Sequence, residues 1–415
     1  MNEYKDTITY EEEKLELAFR DNNYECSKAV TKVSAKREFK DGMWKVISCH
    51  GCDINELINM YWELNPPTNL VGNELRDVDF YIGSISLGEP INDLTEVLKT
   101  ASDVCNELKA VNVEKCELIM NIRKCRRTII RDFGKASEGK TLMEFTTNIV
   151  SRSRRYGYGK VYKVLITKPK IINNTLIDRL IREAYRKSLI DCSSKTLSPL
   201  NTGRQTIVLG GGASAALIHE LSHLLESTSL NKLNIGHKIG PDELYLYDIP
   251  HEPTSPTIRL FDDEGVSTIK RTLIENGTVI DYHHTIYTAS KFSSKAGSAH
   301  GLYRIPNPFH TTLVMKSGDW KDEEIISETK KGFILEGVVA TDASRSYIRI
   351  VPEIAAYVEG GEIKEYVKLN EVRIPINKFH TLSAIGKNQT LRAGYEGDYL
   401  VAEIAPTLKI EGYVS

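Results

Sequence analysis

The stretch TIVLGGGASAALIHELSHLLES, residues 206–227, constrains the fold more than any other. A β-branched run stops at three glycines. The segment that follows has the composition of a helix in a crowded core, with Leu217, Leu221, Leu224 and Leu225 placed to pack beneath it. A helix apolar on most sides has to be buried, so other elements must surround it. Within it His219, Glu220 and His223 form H-E-x-x-H. Residues four apart share a helix face, so His219 and His223 can aim at one Zn²⁺. Glu220, about 100° round the helix, can then act as general base on a water activated by the metal. Zinc makes such a water acidic enough to ionise near neutral pH. The glycines lack the G-x-G-x-x-G and G-x-x-x-x-G-K-[ST] patterns of phosphate loops, so they predict tight strand-to-helix packing.

A tetrahedral catalytic zinc needs a third protein ligand. No H-E-x-x-H-x-x-G-x-x-H extension exists, since Ser229 stands ten residues after His219. Glu226, three residues after His223, falls on the same helix face as a partner for an imidazole. His237, His251, Asp262-Asp263-Glu264 and acids near the C-terminus are the other candidates for the site. Asp263 and Glu264 suit either orientation of a zinc-bound histidine or the shaping of a turn. His300 and His310 lie in a segment that could flank a substrate cleft. His283 and His284 would point to opposite sides of a strand.

The 415 residues suggest two or three domains, and a net charge of −2 leaves no footprint for nucleic acid or an anionic membrane. Two basic clusters, Arg123-Lys124/Arg126-Arg127 and Arg152/Arg154-Arg155, read as a solvated face or a partner contact. A nucleic-acid factor using them is the weakest of three readings. No apolar run is long enough for a membrane span and the acidic first residues are no signal peptide, so a cytoplasmic location is expected. The seven cysteines, an odd number, all lie between Cys26 and Cys192. Free thiols are expected, including Cys49 and Cys52 of a C-x-x-C.

Along the chain, YEEEKLELAFRDN reads as a short amphipathic helix. CSKAVTKVSAKREF and MWKVISCHG read as strands joined by a turn at Asp41-Gly42. A helix capped by Asp53 should stop before Pro66-Pro67, and EPINDLTEVLKTASDVCNELKAV should form another. KCELIMNIRKCRRTIIRDFG reads as paired strands, and the Arg- and Gly-rich segment after it marks a boundary. These features predict an N-terminal α+β domain, 1–150. Beyond it, KVYKVLI should be a strand and TLIDRLIREAYRKSLI a helix. After residue 250 short strands dominate, from TIRLF and STIKRTLIENGTVIDYHHTIY onward, with ENG (275–277) and EGG (359–361) as hairpin turns. A sheet-rich domain, 151–415, should surround the long helix.

TIVLGGGASAALIHELSHLLES resembles the metal-binding helix of the TldD/PmbA family of peptidases. DDEGVSTIKRTLIENGTVIDY, GGEIKEYVKLNEVRIPINKFHTLSAIGKN and APTLKIEGYVS resemble the family's later segments in the same order, from about residue 205 to 415. The resemblance implies a cytosolic zinc metallopeptidase acting on unfolded peptides or peptide precursors, enclosed in a dimer. That dimer would be a homodimer or a heterodimer with a family paralogue. Two features depart from the bacterial pattern. The family's bacterial motif is H-E-x-x-x-H, one residue longer than here. The bacterial active subunit also takes its third ligand from a cysteine near the C-terminus, whereas this sequence has no cysteine after Cys192. Glu396 and Asp398 are the nearby acids that could replace it, and a His₂-carboxylate site is a known catalytic type.

The combined expectation is an α+β protein, an N-terminal helix–sheet domain followed by a larger, mostly antiparallel sheet-rich domain carrying the H-E-x-x-H helix. Zn²⁺ would sit on His219, His223 and Glu396, with Glu220 as general base in peptide hydrolysis. The alternative is a non-catalytic peptide-binding or regulatory subunit of the same fold with an incomplete metal site.

Overall fold

The computed structural model describes residues 3–21, 23–40, 43–52, 63–64, 78–91, 93–168 and 171–415. Contacts divide the chain into two units. The first is Met1–Cys192 with two later excursions, Arg259–Thr268 and His284–Pro308. The second is Ser193–Ile258, Ile269–His283 and Phe309–Ser415.

The first unit is built on strands β1 (Glu3–Arg20), β2 (Asn23–Lys40), β3 (Met43–His50), β4 (Glu63–Leu64), β5 (Gly83–Leu87), β6 (Val113–Arg131), β7 (Gly134–Arg152) and β8 (Tyr156–Ile166). Their order is β4-β3-β2-β1-β6-β7-β5, with β8 also on β7. Helices α1 (Thr95–Lys109) and α2 (Asn174–Ser193) pack Ala101, Leu108, Ile177 and Ile181 against Leu118, Met120 and Phe145 of the sheet. The segment predicted as a short helix lies instead inside β1. Leu15, Leu17 and Phe19 alternate and join that same apolar cluster. With β2 on one side and β6 on the other, the period of two wins over the helical period. KCELIMNIRKCRRTIIR is likewise one long strand, β6, rather than two. The turn predicted at Asp41-Gly42 and the helix from Asp53 lie outside the described residues.

The expected boundary near residue 150 falls inside a sheet. Residues 153–155 turn β7 into β8, which pair along their length, and the chain passes to the second unit only after Cys192. The glycines there serve packing. A Cβ on Gly159 would lie 1.9 Å from Ala184 O of α2, and one on Gly157 would lie 2.1 Å from Ser188 O. The first basic cluster is partly engaged internally, since Arg123 pairs with Glu12 and Glu144, and Arg127 with Glu138 and Asp263. The expectation of free thiols is corrected in two places, because Cys49 is bonded to Cys52 and Cys105 to Cys116.

The excursions bring Asp262, Asp263, Glu264 and His300 into this unit. Asp262 accepts the amides of Glu264, Val266 and Ala299 and so shapes the turn. Asp263 pairs with Arg127 at 2.6 Å and with Arg259, whose guanidinium also lies 3.2 Å from His300 Nδ1. Glu264 accepts Ile286 N–H at 2.7 Å, where helix Ile286–Phe292 begins. Burial, and then the charge of Asp262, push the Glu264 carboxyl up. The fold therefore keeps a proton that the unfolded chain releases above its ordinary value of 4.5, and stability falls as pH rises past that point. Glu264→Gln keeps the acceptor and mimics the neutral acid. It is expected to raise the melting temperature near pH 7.5 by about 2–4 °C, with the gain vanishing toward pH 4.5. Thermal melts at the two pH values decide this, and an equal shift at both would remove the role of the proton.

The second unit opens with β9 (Lys195–Thr196), β10 (Gly203–Leu209), helix α3 (Gly211–His223), β11 (Leu246–Asp248), β12 (Arg271–Glu275) and β13 (Thr278–Val279). Helix α4 (Ile286–Phe292) and strands β14 (Ala299–His300) and β15 (Asn307–Pro308) fall in the second excursion. The chain then continues with β16 (Thr312–Met315), α5 (Asp322–Ser327), β17 (Lys331–Ala343), β18 (Tyr347–Glu359), β19 (Glu362–Lys368), β20 (Val372–Pro375), β21 (Ala384–Glu396) and β22 (Tyr399–Val414). The order is β13-β12-β11-β16-β22-β10-β17-β18-β19-β9, with β20 and β21 also on β22. As expected, a sheet surrounds one long helix, for α3 packs across β22, β17 and β21. The ENG hairpin is present, with Asn276 and Gly277 both at positive φ, the requirement of a tight hairpin turn. Two strand expectations fail. TIRLF contributes only a bridge at Phe261, and HHTIY starts helix α4 under a Thr285 cap. Among the described residues no helix is long and apolar enough to cross a membrane.

Candidate metal centre

The centre lies wholly in the second unit and is positioned by α3. Strand β10 runs into Gly210 and Gly211. A Cβ on Gly211 would lie 2.1 Å from Thr390 Oγ1 of β21, and one on Gly210 would lie 3.2 Å from Leu335 O of β17. The glycines thus let the helix start directly on the sheet, as the sequence predicted. Every residue from Ala213 to Ser222 is buried. His219 and Glu220 are each only 6 % exposed, and buried polar groups of this kind require partners.

Those partners exist. His219 Nδ1 lies 2.7 Å from Glu403 Oε1 on β22, and His223 Nδ1 lies 2.6 Å from Glu226 Oε1. Each imidazole thus has its Nδ1 turned to a carboxylate, which leaves Nε2 as the nitrogen that can face a metal. The two rings stand 5.2 Å apart. Phe309 stacks on His223 at 5.0 Å and meets the edge of His219. Glu220 Oε1 accepts the Thr341 hydroxyl at 2.6 Å. Glu396, at the end of β21, brings Oε2 to 3.6 Å from His219 Nε2.

Two clusters have ligand atoms within 4.8 Å of one another: His219, Glu220 and His223, and His219, His310 and Glu403. The second is already saturated. Glu403 holds His219 and His310 on one oxygen and Arg392 on the other. The first retains two imidazole Nε2 atoms and a carboxylate, with Glu396 alongside. Such a nitrogen and oxygen set suits Zn²⁺.

Electrostatics follow the same geometry. Burial opposes the imidazolium at His219, yet hydrogen bonds to Glu396 and Glu403 outweigh it and push that histidine up to about 9. Burial would raise Glu403, but hydrogen bonds from His219 and His310 hold its carboxyl well below the usual range. Burial pushes His310 down to about 4. The hydrogen bond with His219 lowers Glu396.

The structure therefore brings His219, Glu220 and His223 together, with Glu226 on His223 and His310 behind His219, while Glu396 reaches His219 Nε2 but joins neither cluster. His310 is fully buried behind His219, rather than flanking a cleft. Asp263, Glu264 and His300 belong to the first unit, where they pair with arginines and backbone amides as described above. Of the alternative ligands, His237 and His251 join no such cluster among the described residues. His283, in the second unit, meets Ser222, and His284, in the first unit, meets Thr288; the two lie on no strand. Sequence reasoning missed Glu403, Arg392, Ser222, Asp248 and Thr341. Glu403 alone carried a signal, as an acid between apolar neighbours in YLVAEIAPTLK.

The profile of the PmbA/TldA metallopeptidase C-terminal domain matches residues 202–414. The chain belongs to the PmbA/TldD family. Relatives include a metalloprotease of Methanocaldococcus jannaschii, 26 % identical over 52 % of this chain and 52 % of that protein. Another is a metalloprotease of Archaeoglobus fulgidus, 20 % identical over 68 % of this chain and 66 % of that protein. The match thus spans about half the length of the first relative. Among solved structures, TldE from Thermococcus kodakarensis superposes with a TM-score of 0.74 at 17 % identity, covering 100 % of this chain and 96 % of that one. A candidate modulator of DNA gyrase from Bacteroides thetaiotaomicron gives 0.75 at 18 % identity, covering 99 % and 94 %. Both share the fold of this chain.

Proposed function

We propose that this PmbA/TldD protein is a zinc-dependent peptidase hydrolysing unfolded or flexible peptides. His219, His223 and Glu396 hold the metal, and Glu220 is the general base. The observation that carries the reading is the pair of carboxylates, Glu403 and Glu226, facing the Nδ1 atoms of His219 and His223, so that the Nε2 atoms are the ones left to face a metal, His219 Nε2 with Glu396 3.6 Å away. When bound, zinc supplies a Lewis acid that polarises the scissile carbonyl and acidifies a water. Glu220, held by Thr341, takes the proton of the attacking water and passes it to the leaving amine. Phe309, against both imidazoles, keeps solvent off that side of the centre.

The reading extends to an enclosed dimer, a homodimer or a heterodimer with a family paralogue, that admits an extended peptide or peptide precursor. The purified full chain is expected to carry one zinc per chain and to cleave an unfolded peptide. A chelator should abolish cleavage, and added zinc should restore it. No zinc at saturating supply would sink the proposal. It would leave the rival, a non-catalytic peptide-binding subunit, whose supporting observation is the lack of any cysteine beyond Cys192.

A further inference from the structure

Behind His219 runs a line of buried polar groups drawn from separate segments of the second unit, hydrogen-bonded from Glu403 through His310 and Ser222 to His283 Nε2. Glu403 Oε1 meets His219 Nδ1 at 2.7 Å and His310 Nε2 at 3.2 Å, while its Oε2 accepts Arg392 Nη1 at 2.8 Å. His310 Nδ1 lies 2.9 Å from Ser222 Oγ, which lies 3.2 Å from His283 Nε2. Asp248 Oδ2 stands 3.6 Å from His283 Nδ1, and Asp248 Oδ1 accepts the amides of Thr311 and Thr312 at 3.1 and 2.9 Å. Glu403, His310, His283 and Ser222 are 0 % exposed and Asp248 is 1 % exposed.

Apolar side chains of similar volume would serve stability at least as well as buried charges do. What a polar line adds is direction, and this one ends on a single atom, His219 Nδ1. We infer that Glu403 is a positioning residue for His219. It holds a proton on Nδ1, so the ring presents the Nε2 lone pair outward, and His310 and Arg392 hold the Glu403 carboxylate in place. The two histidines of the motif are thereby unequal, since His223 leans on Glu226, which is partly exposed. The inference rests on the metal reading above, with His219 as a ligand.

The test uses the full chain with Co²⁺ and Zn²⁺ as probes. Glu403→Gln is expected to weaken Co²⁺ binding about 10–100-fold, the usual effect of losing such an outer partner, with the shape of the saturated cobalt spectrum unchanged. In the wild type, metal-free and zinc-loaded, long-range proton–nitrogen NMR should show a solvent-protected proton on His219 Nδ1. A proton-free Nδ1 overturns the inference without any variant, so a misfolded Glu403→Gln chain leaves the test intact. Unchanged cobalt affinity in a folded Glu403→Gln chain also overturns it. An altered band shape would do so too, by making Glu403 a ligand. A wild type that shows the protected proton yet binds neither metal removes the metal reading instead.

Discussion

Glu220→Gln is expected to lower kcat for peptide cleavage by about 10²–10⁴-fold, the range supplied by a positioned general base, while zinc content stays at the wild-type level. Glutamine keeps the carbonyl oxygen that accepts from Thr341 at 2.6 Å, so the side chain stays in place. What it loses is the capacity to take a proton. KM should change little, since the substituted atom binds no peptide group in this scheme. Kinetics and metal analysis on the same preparation provide the check. Full activity would remove Glu220 as base, and loss of zinc would mean that Glu220 is itself a ligand.

The second large effect concerns the third ligand. Glu396→Ala is expected to reduce zinc affinity by more than about 100-fold, because outer partners alone are worth 10–100-fold. Glu396→Cys should recover most of it, since thiolate and carboxylate both serve zinc. Glu396 is half exposed at the end of β21, so neither change disturbs the core. Competition with a chelating dye measures the affinities. Equal affinity of wild type and Glu396→Ala would send the search for the third donor elsewhere.

The H-E-x-x-H helix was legible in the sequence because its determinants are local. The glycines, the apolar run and the i, i+4 histidines lie within a few turns, and the structure keeps all of them on α3. The ENG turn was legible for the same reason, since positive φ at Asn276 and Gly277 is a property of those two residues. β1 was misread because Leu15, Leu17 and Phe19 also fit a helix, and only the neighbours β2 and β6 decide between the periods. Glu403 shows the limit most clearly. Its strand reads as apolar, with Val401, Ala402 and Ala405 nearly sealed from solvent, so a charge there demanded a partner. Nothing nearby in sequence names that partner, because His219 is 184 residues away. The Asp262-Asp263-Glu264 run was an acidic cluster in sequence, and only the fold reveals the arginines opposite it.

The position of β22 has a consequence for the cell. This strand carries Glu403 and pairs with β10, β16, β20 and β21, so the same closure that completes the sheet also completes the centre. Contacts this distant in sequence are slow to form, because loop-closure entropy opposes them. A chain in which β22 has not yet paired would hold the histidines of α3 without the carboxylate of Glu403. On the peptidase reading proposed above, such a chain would be harmless to the unfolded chains around it, since the ability to cut would arrive only with its own completed fold.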